Sequence, residues 1–147
     1  MLVGAYPMNV DAKARVTLPA SFRRQVDKAV VLVPFDGHVN GFTPEGFKAW
    51  LDSLFEHGEE HFNPRDRKDA ALKRGILGAA IEVELDSAGR LALGKLDVMR
   101  PGTRERLGLV AEVVVVGQDD HFEVWNAQRW DAAQESFEDD IESLLYG

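Results

Sequence analysis

The chain predicts an α+β fold built by duplication, and three observations carry that prediction. The stretch Asp11-Ala12-Lys13-Ala14-Arg15-Val16-Thr17-Leu18-Pro19 returns as Asp86-Ser87-Ala88-Gly89-Arg90-Leu91-Ala92-Leu93-Gly94, with acid and arginine at the same spacing. Apolar runs of strand length, Val30 to Val33 and Val113 to Val116, each lead into an acidic turn and a histidine, His38 and His121. Between and after these runs lie segments with helix-start residues and a helical apolar period. The offset between copies grows from 75 residues at the acid–arginine motif to 83 at the histidines, so the second copy holds eight extra residues between Arg90 and Val113. Two copies at so long a period do not make a solenoid. The expectation is one pseudo-symmetric domain over 1–147: a first repeat at 4–50, connecting helices at 51–78, a second repeat at 79–130 and an acidic C-terminal helix at 131–147.

Taken in order, Tyr6 to Val10 predicts a short strand, Asp11 to Arg15 a turn, and Val16 to Leu18 the next strand. Pro19 suits the first turn of a helix, where its missing N–H leaves no bond unmade. Phe22 and Val26 then share the inner face, with Arg23 and Arg24 toward solvent. Val30 to Val33 reads as a buried strand, Asp36-Gly37 as a turn, and Val39 to Phe42 as the returning strand. Thr43-Pro44 is a cap followed by proline, and Phe47, Trp50, Leu51, Leu54 and Phe55 step at helical spacing. Asn63-Pro64 repeats the start signal for a helix ending near Gly75 to Gly78. Ile81 to Leu85 alternates strictly, as a strand with one wet face does. After the second motif and Leu91 to Leu93, a longer loop through Pro101-Gly102 is expected to hold Arg100, Arg104 and Arg106. Val113 to Val116 and Phe122 to Trp125 complete the half, and Trp130, Ala133, Phe137, Ile141 and Leu144 mark one face of a final helix.

A chain of 147 residues at 45% hydrophobic composition is enough for one domain with a real core. With no apolar run of about 18 residues and no signal-like start, the expectation is a soluble cytoplasmic protein. Zero cysteines exclude disulfides, thiolate metal sites and cysteine nucleophiles. The net charge of −8 is unevenly spread. Residues 1–28 carry Lys13, Arg15, Arg23, Arg24 and Lys28 against Asp11 and Asp27, whereas 130–147 carry Asp131, Glu135, Glu138, Asp139, Asp140 and Glu142 with no lysine or arginine. Base at one end and acid at the other allow a nucleic-acid contact that the net charge alone would argue against.

Gly4-Ala5-Tyr6, the segment from Asp11 to Arg23, the segment from Ile81 to Arg90 and the segment from Phe122 to Ala132 occur in fixed order over nearly the whole chain. Together they resemble the MraZ family, within the AbrB-like (SpoVT-AbrB) DNA-binding superfamily. The resemblance implies a split β-barrel of two AbrB-like halves with attached helices. It also implies a sequence-specific transcriptional regulator of the division and cell-wall gene cluster, binding direct repeats in double-stranded DNA upstream of its own operon, as a head-to-tail ring. Such a protein is cytoplasmic, nucleoid-associated, without catalytic residues, cofactor or metal. In it, Asp11 and Asp86 shape the loops, Arg15 and Arg90 reach a phosphate or a base edge, Lys13 adds a phosphate contact, and Arg23 or Arg24 assists. Since Ala88 stands opposite Lys13, the first half is expected to bind more strongly. This sequence departs from the family pattern twice: Ala14 replaces a usual glycine, and Gly94 stands where a proline would match Pro19.

Each motif also has a plainer explanation. An aspartate can accept turn N–H groups and pair with an arginine four residues on for purely structural reasons. His57-Gly58-Glu59-Glu60-His61 matches the zinc-protease pattern H-x-x-E-H, but Gly58 weakens a helix there and a pair of exposed histidines is the simpler reading. His38 and His121 read as turn or interface residues, and Trp125 and Trp130 as packing residues. A rival from another class is a protein-docking regulator that uses its acidic surface, with a ribosomal RNA methyltransferase as the partner the resemblance suggests and DNA affinity incidental.

Overall fold

A computed structural model describes all 147 residues. Eight strands divide into a six-stranded antiparallel sheet and a two-stranded ribbon. The strands are β1 (Ala5–Asn9), β2 (Arg15–Thr17), β3 (Ala29–Phe35), β4 (His38–Phe42), β5 (Ile81–Glu84), β6 (Arg90–Ala92), β7 (Glu112–Gly117) and β8 (Phe122–Asn126). The helices are α1 (Ala20–Arg23), α2 (Pro44–Ser53), α3 (Arg67–Ala79), α4 (Lys95–Met99), α5 (Thr103–Leu107) and α6 (Ala127–Tyr146). The α+β class is therefore observed. The six strands run β1-β7-β8-β4-β3-β5, and β1 is not paired to β5, so backbone hydrogen bonding does not close the sheet into a barrel.

That order is symmetric about the β8–β4 pair. Exchanging β1 with β5, β3 with β7 and β4 with β8 returns the same sheet. The halves also trade strands: β1 of the first pairs with β7 of the second, and β5 of the second pairs with β3 of the first. Pro7, which cannot donate to a ladder, is tolerated in β1 because β1 is an edge strand. The turn between β3 and β4 places Asp36 and Gly37 both at positive φ, 56° and 81°, which suits a two-residue hairpin.

The alternating faces of the sheet fill two cores. Val30, Leu32, Val39, Val113, Val115, Phe122 and Val124 join Val16 and Leu91 of the ribbon, and Leu18 and Leu93 just after its strands, in one cluster of 19 buried residues. On the opposite face Val31, Val33 and Phe42 meet Phe47 and Leu51 of the amphipathic α2 and Phe55 just beyond its end. Helix α2 begins as its sequence requires, with Thr43 Oγ1 accepting the Gly46 N–H at 3.0 Å and Pro44 in the first turn.

Two expectations need correction. Helix α3 starts at Arg67 rather than at Asn63-Pro64, because Asp66 caps it by accepting from the N–H groups of Lys68 and Asp69, while Asn63 spends its side chain on the Arg65 N–H in a local turn. The stretch through Pro101 is not an open loop. It forms α4 and α5, braced by Arg104, whose backbone N–H and Nε donate to the two carboxylate oxygens of Asp97 at 2.9 Å each. No helix is long and apolar enough to cross a membrane.

Candidate nucleic-acid interface

Strands β2 and β6 carry the two motifs, and they pair with each other, with Arg15 opposite Ala92, Val16 opposite Leu91 and Thr17 opposite Arg90. Period-two alternation then decides which side chains are seen. Val16 and Leu91 are fully buried beneath the ribbon, while Arg15, Thr17, Arg90 and Ala92 lie on its partly exposed outer face. The fold thus brings both arginines to one surface, although 75 residues separate them in the sequence.

Each loop is built the same way. Asp11 Oδ1 accepts the N–H groups of Lys13 and Arg15, both at 2.9 Å, and Asp11 Oδ2 accepts Arg15 Nε at 2.9 Å. Asp86 repeats this with Ala88 at 3.0 Å, the Arg90 N–H at 2.9 Å and Arg90 Nε at 2.7 Å. The arginine N–H bonded to each carboxylate, with the guanidinium and the loop N–H adding to it, holds both aspartates below their ordinary value of 3.8 despite opposing desolvation. With Nε held, the Nη groups of each partly exposed guanidinium make no hydrogen bond within the protein, and such groups can bond to a phosphate or to guanine. Arg15 Nη1 also lies 4.0 Å from Asp86 Oδ2, which ties the first loop to the second.

The loops differ at one backbone position. Ala14 sits at φ 62° and Gly89 at φ 74°, so both adopt the left-handed conformation that an alanine takes only with strain. A Cβ on Gly89 would also meet the end of the Arg23 side chain, which crosses from the first half and donates from Nη1 to the Ala88 carbonyl at 3.1 Å, so any larger residue there would have to push that side chain aside. Gly94 lies beside the first loop, where a Cβ would stand 3.4 Å from that of Ala14. The two departures from the family pattern therefore face one another.

Among the residues singled out by sequence, Lys13 and Arg24 are exposed and form no ion pair, Arg15 and Arg90 are half-buried on the ribbon, and Arg23 is exposed but bonded to the second loop. The side chains of Asp11 and Asp86 are spent on the loops. His57 and Glu60 exchange backbone hydrogen bonds in an exposed turn, so His57 and His61 do not share a helical face.

Sequence reading missed a polar cluster at the far side of the sheet. Buried His38 stacks on Trp125 at 4.4 Å, with its Nδ1 3.1 Å from the Asp36 carbonyl and its Nε2 3.1 Å from Glu123 Oε2. The Nε2 contact is close enough for an ion pair although its angle is poor for a hydrogen bond. Glu123 Oε1 also accepts the Trp125 indole N–H at 2.8 Å. Burial opposes a charge on His38, but Glu123 outweighs it and raises the imidazole above 6.5; the same pairing lowers Glu123 despite burial. The only signal in the sequence was the placement of a histidine after each acidic turn.

Comparison with known proteins decides the family. The family model described as "MraZ protein, putative antitoxin-like" matches residues 1–70 and 76–143. The chain belongs to the MraZ family. It is 34% identical to the transcriptional regulator MraZ of Ligilactobacillus salivarius over 99% of this chain and 97% of that protein. It is likewise 34% identical to the transcriptional regulator MraZ of Lactiplantibacillus plantarum over 99% of both chains, and 32% identical to that of Corynebacterium efficiens over 94% and 90%.

Proposed function

We propose that this protein is a DNA-binding transcriptional regulator that reads duplex DNA with the outer face of the β2–β6 ribbon, and that it is not an enzyme. The observation that carries the reading is the convergence of Arg15 and Arg90 on that face, each with Nε held by its own aspartate and its Nη groups making no hydrogen bond, Arg15 Nη1 lying 4.0 Å from Asp86 Oδ2. An arginine fixed in this way loses little freedom on binding and presents a planar fork of defined direction. Lys13 and Arg24 add phosphate contacts, and Arg23 positions the second loop from behind rather than serving as a helper contact. The ribbon closes over the main core in the manner of a split barrel, and the chain acts as one pseudo-symmetric unit rather than two domains.

One subunit offers few bases on an acidic body, so a single site is weak, because affinity rests largely on neutralised phosphates. Several subunits joined head to tail in a ring present their ribbons in one sense, which matches direct repeats spaced by about one helical turn rather than a palindrome. We place those repeats upstream of the protein's own operon, in the division and cell-wall gene cluster, which makes the protein nucleoid-associated. Linked sites raise affinity by about 10²–10⁴ over one box. Titration by fluorescence anisotropy against DNA with one, two and three boxes tests the reading. Salt-sensitive affinity that climbs with box number is expected, and salt-insensitive binding equal for all three would overturn it.

A further inference from the structure

We propose that the pocket under the β3–β4 turn binds a small amphipathic carboxylate, with an apolar group of about leucine size on its floor and the carboxylate on Arg100 and Arg106. None of the lining residues lies on the ribbon, so such a site is independent of the DNA reading. In the other half of the molecule the same place is already filled. There the N-terminal segment straps the β7–β8 turn: the Leu2 N–H donates to the Asp119 carbonyl and the Asp119 N–H to the Leu2 carbonyl, both at 2.8 Å. The terminal amine donates to Gln25 Oε1 at 2.6 Å, and the Leu2 side chain, 4% exposed, joins the main core. A space of about 180 Å³ remains beside it.

No second strap forms, and two residues show why. Leu77 stands at the 75-residue offset from Leu2 that also relates β1 to β5, yet it lies in α3 and is 46% exposed. Pro34 stands where the other hairpin, 83 residues on, has Gly117. Gly117 donates its N–H to the Gly4 carbonyl at 2.8 Å and lets the strap pass so close that a Cβ there would collide with the Leu2 backbone. A proline has neither the N–H nor the room. What is left is a pocket of about 580 Å³ between the β3–β4 turn, the end of α3 and the α4–α5 pair, a volume in the range of small-ligand sites.

The lining selects the ligand. Ile81, Leu96 and Leu107, all members of the main core cluster, give the pocket an apolar floor. Helix α5, which has no counterpart in the first half, adds a wall that carries Arg106, and Arg100 stands just after α4. Their backbones are fixed, because Thr103 Oγ1 donates to the Arg100 carbonyl at 2.7 Å and Arg129 Nη2 to the Arg106 carbonyl at 3.1 Å. Both arginines are exposed and unpaired, the ion pair of this region joining Asp97 to Arg104 instead. Asp36 is the one acid on the lining. Two cations against one acid leave a single positive charge above the apolar floor. A carboxylate balances that charge and matches the planar fork of a guanidinium, whereas a phosphate dianion exceeds it.

The probe is 4-methylpentanoate, which carries the leucine side chain on a carboxylate. It would be titrated into the full-length protein while the methyl NMR signals of Ile81, Leu96, Met99 and Leu107 are followed. Saturable shifts are expected, with a Kd of about 1–10 mM as suits so small a molecule. The neutral 4-methylpentanamide should bind about tenfold more weakly, as should the wild-type ligand to a protein carrying Arg100→Gln and Arg106→Gln. Gly78 lines the pocket with open space where its Cβ would stand, so Gly78→Leu should fill the pocket and abolish the shifts with circular dichroism unchanged. Absence of saturable shifts in the wild type, an equal response to the amide, or shifts that survive both Gly78→Leu and the double arginine variant would overturn the assignment.

Discussion

The two acid–arginine loops share every bond that their own side chains make and differ in how their backbones are supported. In both, one aspartate carboxylate gathers two loop N–H groups and the arginine Nε. The second loop then has glycine at its left-handed residue and Arg23 packed against it from the other half, while the first has Ala14 there and no such support. The comparison separates two requirements that a conserved-looking motif merges. The carboxylate fixes the arginine, whereas the residue before the arginine decides how much strain the turn carries.

The largest stability change that would break this comparison is expected from Gly89→Ala. It adds the left-handed penalty of about 1–2 kcal/mol and also displaces Arg23. Chemical denaturation should show a loss at the upper end of that range, and a neutral result would mean that Arg23 does not pack as described. Arg23→Ala should cost about 0.5–1.5 kcal/mol by removing the bond to Ala88. It should leave the Arg15 contribution to DNA binding unchanged while weakening that of Arg90, which a double-mutant cycle with each arginine reads directly. A direct phosphate role for Arg23 would weaken binding whichever arginine is present. The smallest change, Ala14→Gly, should stabilise by up to about 1 kcal/mol, because the turn's strain is relieved and only chain entropy is lost. A destabilised Ala14→Gly would show that packing of the alanine methyl outweighs the strain of the turn.

pH tests what the two loops have in common. Asp11 and Asp86 titrate below 3.8 when folded, so their contribution is present above that value and fades as pH falls through the lowered ones. His38 works in the opposite sense. Its imidazolium is favoured in the folded state, so its contribution is complete below 6.5 and is lost as pH rises through the raised value. Urea unfolding across about pH 5 to 9 should therefore show a decline on the alkaline side that His38→Gln removes. A wild-type profile flat through that range would contradict the His38–Glu123 pairing.

Much of this was legible in the chain, for reasons that are local. The cap at Thr43-Pro44, the apolar steps of α2 and the valine runs act over a few residues, and the duplication shows itself as repeated spacing. What could not be read depends on partners far apart in sequence. The sequence offers both Asp66 and Asn63 as good turn and cap residues, and only the bonds they make, Asp66 to the Lys68 and Asp69 N–H groups and Asn63 to that of Arg65, show which one starts α3. The Asp97–Arg104 brace that winds the Pro101 stretch into helices lies outside any helical or turn spacing. Exchange of β1 and β5 between halves, and the pairing of β2 with β6, are invisible in one dimension, although they are what brings both arginines to one face. For the same reason Arg23 reads as a free surface base until its partner, 65 residues away, is seen.

The most direct test of the central claim, that the ribbon's outer face reads DNA through both loops, is fluorescence anisotropy at moderate salt with promoter DNA of three boxes. Arg15→Ala should cost about 1–3 kcal/mol per site, Arg90→Ala less, and Lys13→Ala should mainly lower the salt dependence by about one unit per site, all with the fold and assembly intact. Wild-type affinity in both arginine variants would contradict the account.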